Sequence, residues 1–127
     1  GVAQMGRLDS FVAERRARAA RYHEALASLP VKRPLFDNNS AWHLYMIEVD
    51  PAQRTAIFNT LRAAGIGVNV HYIPIHLHPY YQALGFGAGD FPVSEQYYRG
   101  ALTLPLYPLL TDSEQQKVID CLKEVLL

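Results

Sequence analysis

The first quarter of the chain has the hydrophobic spacing of an amphipathic helix. From residue 2 to residue 29, apolar side chains recur mostly at intervals of three or four residues. These apolar positions are Val2, Met5, Leu8, Val12, Ala19, Tyr22 and Leu26. The segment is rich in alanine and arginine and has no proline before Pro30, so one long helix is predicted. Its arginine run, residues 15–21, either forms a solvated face or meets phosphate.

The next pattern is a strand, a helix and a second strand. Residues 41–49 combine the aromatic and branched side chains that are typical of a strand. Residues 51–64 have helical apolar spacing and end before a glycine. Residues 66–73 alternate valines with Asn69 and His71, which is the period of a strand with one polar face.

The second half alternates short helices with one more extended piece. In chain order we predict a helical turn at 80–84, a glycine-rich loop at 85–90, a helix at 94–100 and an extended edge piece at 102–106. Thr111 and Glu114 have the capping-box spacing, which predicts a last helix running to the end of the chain. Helices alternating with three short strands predict an α/β fold, a two-layer sandwich.

Composition narrows the class of protein. The chain has 127 residues, 50% of them hydrophobic, and 12 basic residues balance 12 acidic ones. A nucleic-acid-binding protein would carry a basic surplus, so no nucleic-acid partner is expected. No apolar run reaches the length that crosses a membrane, so no membrane partner is expected either.

Cysteine usage and the first residues bear on where the protein works. The only cysteine, Cys121, excludes an internal disulfide and fits a reducing compartment such as the cytoplasm. No signal sequence opens the chain, and its first methionine, Met5, lies inside the first predicted helix. We therefore expect these residues to be a piece of a longer, cytoplasmic protein.

Candidate chemistry concentrates between residues 65 and 81. This stretch has three of the five histidines and three of the eight tyrosines, and no Asp, Glu, Lys or Arg. Pro74 lacks an amide hydrogen and should end the predicted strand, which leaves His76, His78 and Tyr80 on irregular chain beyond it. Because functional side chains gather on loops at strand ends, a ligand site is expected here.

Several kinds of catalytic site lack their residues in this sequence. The glycines of the 85–90 loop are not followed by the Gly-Lys-Ser/Thr of a phosphate-binding loop, and no Gly-x-Ser-x-Gly elbow is present. No Asp or Glu occurs between residues 51 and 89, so a zinc site on the histidines would have no local carboxylate, and none is expected. A site in this window would favour an anion. The lysines are few and distant from it in sequence: Lys32, Lys117 and Lys123.

Motifs spread over almost the whole chain occur in a recognisable order. They are Gly-Val-Ala-Gln-Met-Gly-Arg-Leu-Asp at 1–9, Trp-His-Leu-Tyr-Met-Ile at 42–47, the helix and Gly-Ile-Gly at 54–67, His-Tyr-Ile-Pro-Ile-His at 71–76, Pro-Tyr-Tyr at 79–81 and Leu-Pro-Leu-Tyr-Pro with Leu-Thr at 104–111. Together they resemble the C-terminal domain of the pyridoxal-phosphate-dependent sugar aminotransferases of the DegT type. Within that family, residues 68–81 are most similar to the UDP-4-amino-4,6-dideoxy-N-acetyl-β-L-altrosamine transaminase branch, which acts in pseudaminic acid biosynthesis.

The resemblance implies the small domain of a fold-type-I aminotransferase. Its sheet would be short, mainly antiparallel and three-stranded, with helices on one side. Residues 1–29 would form the long interdomain helix, and residues 30–127 the small C-terminal domain. Pyridoxal phosphate and its Schiff-base lysine would belong to a large domain outside this chain. No catalytic, cofactor-binding or metal-binding residue is therefore assigned to the chain itself.

The resemblance also implies which residues would meet substrate. By position in the motif, His71, Tyr72 and His76 would line the cleft that binds the sugar nucleotide, with Asn69 and Tyr80 as further candidates. Their role would be hydrogen bonding to sugar or diphosphate oxygens rather than proton transfer in the chemical step.

Two functions of different classes follow. In the first, the chain is part of a cytoplasmic, homodimeric aminotransferase that moves an amino group from an amino acid such as glutamate to a 4-keto nucleotide sugar. In the second, it is a stand-alone, non-catalytic module that binds a sugar phosphate or a partner protein. In both, the isolated residues are expected to be inactive as a transaminase, because no lysine lies near the histidine stretch in sequence.

Overall fold

A computed structural model describes residues 2–127; Gly1, the first residue of the predicted long helix, lies outside the described residues. The described residues form six α-helices, one 3-10 turn and two strands. In chain order these are α1 (Val2–Met5), α2 (Leu8–Ala25), β1 (Tyr45–Glu48), α3 (Arg54–Ala63), the 3-10 turn (Ile75–Leu77), α4 (Pro79–Ala83), α5 (Pro92–Gly100), β2 (Ala101–Leu104) and α6 (Asp112–Leu126). Within residues 2–127, no helix is both long enough and apolar enough to cross a membrane.

The predicted single N-terminal helix is two helices. The break falls at Gly6 and Arg7, where the Arg7 amide bonds to the Gln4 carbonyl in a turn. Glycine loses more conformational freedom in a helix than any other non-proline residue, so a helix interrupted there costs least. The second helix ends at Ala25 rather than at residue 29. The assignment of residues 1–29 as an interdomain helix, and of residues 30–127 as one domain, stays a prediction.

The two strands pair antiparallel at the centre of the molecule. Tyr45 lies opposite Leu104 and Glu48 lies opposite Ala101. Single bridges extend the ladder on both sides, from Lys32 to Glu48 and from Asn69 to Thr103. The antiparallel pairing agrees with the sheet predicted through the resemblance, but the third strand is reduced to one bridge.

A local competitor for hydrogen bonds explains why the third strand stops. The side-chain oxygen of Asn69 accepts the Val70 amide at 2.8 Å, so this amide is not available to a ladder. Pro74 follows four residues later and has no amide to offer. The other extended piece, predicted at a sheet edge, is instead an inner strand, because β2 pairs with β1 and also bridges to Asn69.

The main core lies on one face of this sheet, beneath α2, α3 and α6. Its largest fully buried side chains come from these helices, the residue that follows α2 and both strands: Tyr22, Leu26, Tyr45, Ile47, Ile57, Leu61, Leu102, Leu104, Ile119 and Leu122. The Tyr22 hydroxyl donates to the Pro105 carbonyl at 3.1 Å, which satisfies a polar group deep in the core. Burial raises the pKa of Tyr45 to about 12, so its phenol stays neutral.

The opposite face of the sheet is covered by α5. Met46 alternates with the buried Tyr45 and Ile47, and the Tyr97 hydroxyl donates to the Met46 sulfur at 3.1 Å. Thr103, directly opposite Met46 in the register, is buried as well. The α/β class is therefore confirmed, while the expectation of helices on one side only is wrong. All four residues of β2 are buried and are apolar or small, as expected for a strand that is covered on both faces.

The predicted start of a helix agrees with the observed start where a side chain caps the helix. Thr111 Oγ1 accepts the Glu114 amide at 3.2 Å and the Glu114 carboxylate accepts the Thr111 amide at 2.8 Å, which confirms the predicted capping box. In contrast, α5 begins at Pro92, two residues before the predicted start, so Ser94 lies inside the helix. Helix α3 begins at Arg54, three residues later than predicted.

Candidate functional site

The histidine segment, residues 69–81, leaves the sheet beside β2 and runs towards α5. Its first residue is the bridge partner of Thr103, and it then passes the buried Pro74 into the 3-10 turn and α4. The segment therefore begins anchored to the sheet and ends as a helix whose five residues are all exposed.

His71 and Tyr72 lie together at the sheet end of the segment. His71 Nδ1 lies 2.9 Å from the Thr103 hydroxyl, which fixes the half-buried ring against β2. The rings of His71 and Tyr72 meet edge to face with centroids 4.5 Å apart, across a cis peptide bond. Tyr72 is 68% exposed, so its phenol is available to a ligand.

His76 turns away from this pair towards α5. Its side chain is only 7% exposed, and Nε2 lies 2.9 Å from a carboxylate oxygen of Glu95. Phe91 packs against the ring with centroids 4.8 Å apart. The structure thus places His76 in a buried hydrogen-bonded position, which leaves little of its surface for a ligand.

Asn69 and Tyr80 occupy the two ends of the segment. The Asn69 side-chain oxygen is taken by the Val70 amide, so it has less capacity to receive a ligand hydrogen. Tyr80 is 70% exposed and meets Tyr81 edge to face at 5.3 Å. The structure therefore brings His71 next to Tyr72 and separates His76 from them, and the substrate-binding roles of all five candidates stay predictions.

A shallow hollow lies between the segment and α5. It has a volume of about 360 Å³ and apolar walls, and it is lined by Ile75, His76, Tyr81, Phe86, Phe91 and Ser94. Aromatic walls with a few polar groups are common in sites for small molecules.

Two residues that hold the segment in place are absent from the sequence prediction. Glu95 and Thr103 are distant in sequence and come close to the histidines only through folding. A weak signal was available for Glu95, which is the first carboxylate of α5 and follows shortly after an acid-free window. Thr103 gave none, since a threonine in a strand is ordinary.

The arginine run on α2 connects elements and does not form a solvated face. Arg15 donates to the carbonyls of His43 at 3.0 Å and Leu106 at 3.2 Å. Arg18 bonds to the Asp112 carboxylate, which holds the pKa of Asp112 below its usual value, chiefly through the hydrogen bond. The guanidinium groups of Arg15 and Arg18 are therefore used within the fold, and the expectation that the run meets phosphate stays a prediction.

The described lysines do not form a place for pyridoxal phosphate. Lys32 is held by the Glu48 carboxylate at 2.8 Å, at the sheet edge away from the histidine segment. Lys117 lines a different groove, beside Gly65 and Tyr107, and Lys123 lies in the last turn of α6. The residues present therefore do not fit the cofactor by themselves. Within residues 2–127, no three His, Cys, Asp or Glu side chains are close enough to hold a metal ion.

Comparison with known proteins identifies relatives over the whole fold. Residues 1–123 match the model of the DegT/DnrJ/EryC1/StrS aminotransferase family. The spore coat polysaccharide biosynthesis protein SpsC of Bacillus subtilis is 37% identical over 134 aligned positions, which cover 98% of this chain and 34% of that protein.

Solved structures give the same picture. The putative sugar aminotransferase Spr1654 of Streptococcus pneumoniae is 30% identical, with a TM-score of 0.92 over 98% of this chain and 33% of its own, and has been solved in apo, PMP and PLP forms. Helicobacter pylori PseC, an aminotransferase involved in the biosynthesis of pseudoaminic acid, has a TM-score of 0.88 over 99% of this chain and 35% of its own, but its 24% identity shows the fold alone. The chain spans about a third of the length of these proteins.

Proposed function

The chain belongs to the DegT/DnrJ/EryC1/StrS aminotransferase family, and we propose that it works as the small domain of a sugar aminotransferase whose histidine segment forms one wall of the substrate cleft. The relatives that it matches are three times as long, and Spr1654 has been solved with pyridoxal phosphate and with pyridoxamine phosphate. In this proposal the cofactor and the lysine that carries it come from the other two thirds of the enzyme. When bound there, pyridoxal phosphate supplies the electron sink of amino transfer.

The observation that carries the proposal is the exposure of Tyr72, beside His71, and of Tyr80, further along a segment that bears no carboxylate. The two phenols are 68% and 70% exposed although tyrosine has a large apolar ring. Exposed aromatic groups on one segment are typical of a binding surface. Phenol and imidazole groups donate hydrogen bonds to sugar and phosphate oxygens, and the absence of acidic residues from 51 to 89 favours an anionic ligand.

The finer assignments rest on the motif. The similarity of residues 68–81 to the altrosamine transaminase branch supports a UDP-linked 4-keto sugar as acceptor, an amino acid such as glutamate as donor, and a place in pseudaminic acid or related surface-sugar biosynthesis. A homodimeric, cytoplasmic enzyme is part of the same proposal.

The gene that encodes this sequence provides the test. We expect its reading frame to encode a lysine-bearing cofactor domain together with these residues, and the purified full-length product to transfer the amino group of glutamate to a UDP-4-keto sugar. A reading frame limited to these residues would contradict the proposal and favour the stand-alone binding module.

A pair of matched variants tests the site itself. In the full-length enzyme, Tyr72→Phe should weaken substrate binding, because loss of a hydrogen bond to a neutral oxygen costs about 0.5–1.5 kcal/mol. Tyr107→Phe is the control, since this exposed tyrosine lines the groove beside Gly65 and not the histidine segment. Equal KM values in the wild type and both variants would show that Tyr72 does not contribute to substrate binding.

A further inference from the structure

The buried pair of His76 and Glu95 joins two parts of the chain that the fold would otherwise leave independent. His76 belongs to the 3-10 turn and Glu95 to the first turn of α5, 19 residues later. Both side chains are largely buried, at 7% and 13% exposure. A hydrogen bond between buried ionisable groups is shielded from water, so it constrains its partners more than an exposed one.

The same carboxylate oxygen also holds the glycine-rich loop. Glu95 Oε1 accepts the Gly89 amide at 2.7 Å in addition to its contact with His76. Gly89 has a positive φ of 96°, a conformation that a glycine adopts without strain. One oxygen atom therefore connects the histidine segment, the 85–90 loop and α5.

The hydrogen bonds of Glu95 determine which ring nitrogen of His76 acts as the donor. The His76 hydrogen bond, followed by the Gly89 amide, holds the pKa of Glu95 below its usual value, so the carboxylate is ionised at neutral pH. An ionised carboxylate only accepts hydrogen bonds, so His76 must donate from Nε2. Phe91, which packs on the same ring and whose carbonyl accepts the Glu95 amide at 3.1 Å, closes the cluster.

We infer that Glu95 is a positioning residue that holds His76 and the 85–90 loop as one unit and thereby sets the positions of the ligand-facing tyrosines of the histidine segment. His76 lies between Tyr72 and Tyr80 in the segment, so holding its side chain in place limits how far the backbone that carries both can move. The last step of this inference, from position to ligand, rests on the proposed function.

The experiment uses nuclear magnetic resonance of the 127-residue chain with two substitutions of Glu95. Glu95→Asp keeps a negative charge near the start of α5 but shortens the side chain by one methylene, so it should not reach both partners. Glu95→Gln keeps the length and one acceptor oxygen but not the charge. Glu124→Gln, at an exposed position on α6, is the control for loss of one charge.

Two signals report the coupling. The first is the Nε2 hydrogen of His76, which should be observable in the wild type and lost in Glu95→Asp. The second is amide exchange, which should become at least about tenfold faster at Gly89 and also in α4, because each lost 1.4 kcal/mol of protection is a factor of ten. The exchange rates of Glu95→Gln should lie between those of the wild type and Glu95→Asp. Thermal unfolding of each variant verifies that the fold persists.

A helix-dipole role for Glu95 makes a different prediction. A carboxylate in the first turn stabilises a helix through its charge alone, and Glu95→Asp would then behave like the wild type. The inference is overturned if Glu95→Asp has the same amide exchange rates in α4 as the wild type and keeps the signal of the His76 Nε2 hydrogen.

A titration with UDP separates this inference from the proposed function. We expect UDP to shift the amide signals of the histidine segment in the wild type, and Glu95→Asp to bind it about tenfold more weakly. Equal affinity of the wild type and Glu95→Asp overturns the positioning role and leaves the proposed function intact. If UDP shifts none of these signals in the wild type and does not bind to the full-length enzyme either, the proposed ligand class is wrong, and the exchange data alone decide the coupling of Glu95 to α4.

Discussion

At the scale of single residues, burial gives the three histidines of the segment different roles. His71 is half-buried against the Thr103 hydroxyl, whereas His76 is buried against Glu95. His78 is exposed, with Nε2 3.3 Å from the Ile73 carbonyl. The same side chain is thus open to a ligand at one position and part of the fold at another, a few residues apart.

Replacing His71 and His76 by alanine should therefore separate function from stability. In the full-length enzyme, His71→Ala should lower kcat/KM by about ten- to a hundredfold if the ring contacts phosphate, since such a bond contributes about 1.5–3 kcal/mol. His76→Ala should lower the melting temperature, because it leaves the buried Glu95 without its partner.

Thermal melts and steady-state kinetics on both variants make the comparison. A His71→Ala enzyme with normal kinetics and a lowered melting temperature would make this histidine structural too. A His76→Ala enzyme that melts like the wild type would show that the buried pair does not support the fold.

At the scale of elements, the junction of α5 and β2 depends on a close approach of two backbones. Gly100 ends α5, and its carbonyl accepts the Val49 amide at 2.9 Å. A Cβ atom built on Gly100 would lie 2.6 Å from the Val49 carbonyl oxygen, closer than real contacts allow. The strand that carries Thr103 starts at the next residue, so this glycine also affects the site.

We expect Gly100→Ala to destabilise the protein by about 1–3 kcal/mol or more, the range for overpacking in a closely packed interior. Gly67→Ala is the matched control, because nothing lies within 4 Å of a Cβ at that position. Urea unfolding of both variants gives the measurement, and equal midpoints would contradict the backbone contact.

Two carboxyl groups at the start of α6, those of Asp112 and Glu114, should make the stability of the fold depend on pH. The Arg18 hydrogen bond and charge hold the pKa of Asp112 below its ordinary value of 3.8, and the Thr111 amide and hydroxyl hold that of Glu114 below 4.5. Because both carboxyls bind protons more weakly in the folded state, their contribution is complete above these ordinary values. It is lost as the pH falls through the lower, folded-state values.

Asp112→Asn should therefore flatten the fall in melting temperature with decreasing pH. The control is Asp9→Asn, since Asp9 is exposed in the first turn of α2 and forms no ion pair with any of residues 2–127. Parallel pH profiles of the wild type and Asp112→Asn would show that this contact does not contribute to stability.

At the scale of the whole molecule, the position of the lysines predicts how the isolated chain responds to pyridoxal phosphate. Lys32 is paired with Glu48, and the histidine segment has no lysine of its own. We expect no stoichiometric aldimine when the chain is mixed with the cofactor, as judged by its visible spectrum. A borohydride-trapped adduct at a single lysine would contradict this expectation.

The sequence by itself determined the class of fold and the helices with strong local signals, and it predicted where the candidate site lies. The capping box at Thr111 and the helical turn that contains Tyr80 both follow from contacts within a few residues. Local interactions of this kind leave a pattern in the sequence because the residues that make them have fixed spacing.

Only the tertiary structure decided which side chains of the site face solvent. The pairing of His76 with Glu95 and of His71 with Thr103 joins residues that are 19 and 32 positions apart. The same applies to Arg15, which reaches the Leu106 carbonyl across 91 positions. Such contacts have no fixed spacing, since they depend on how α5, β2 and the histidine segment pack, and burial follows from that packing rather than from residue type.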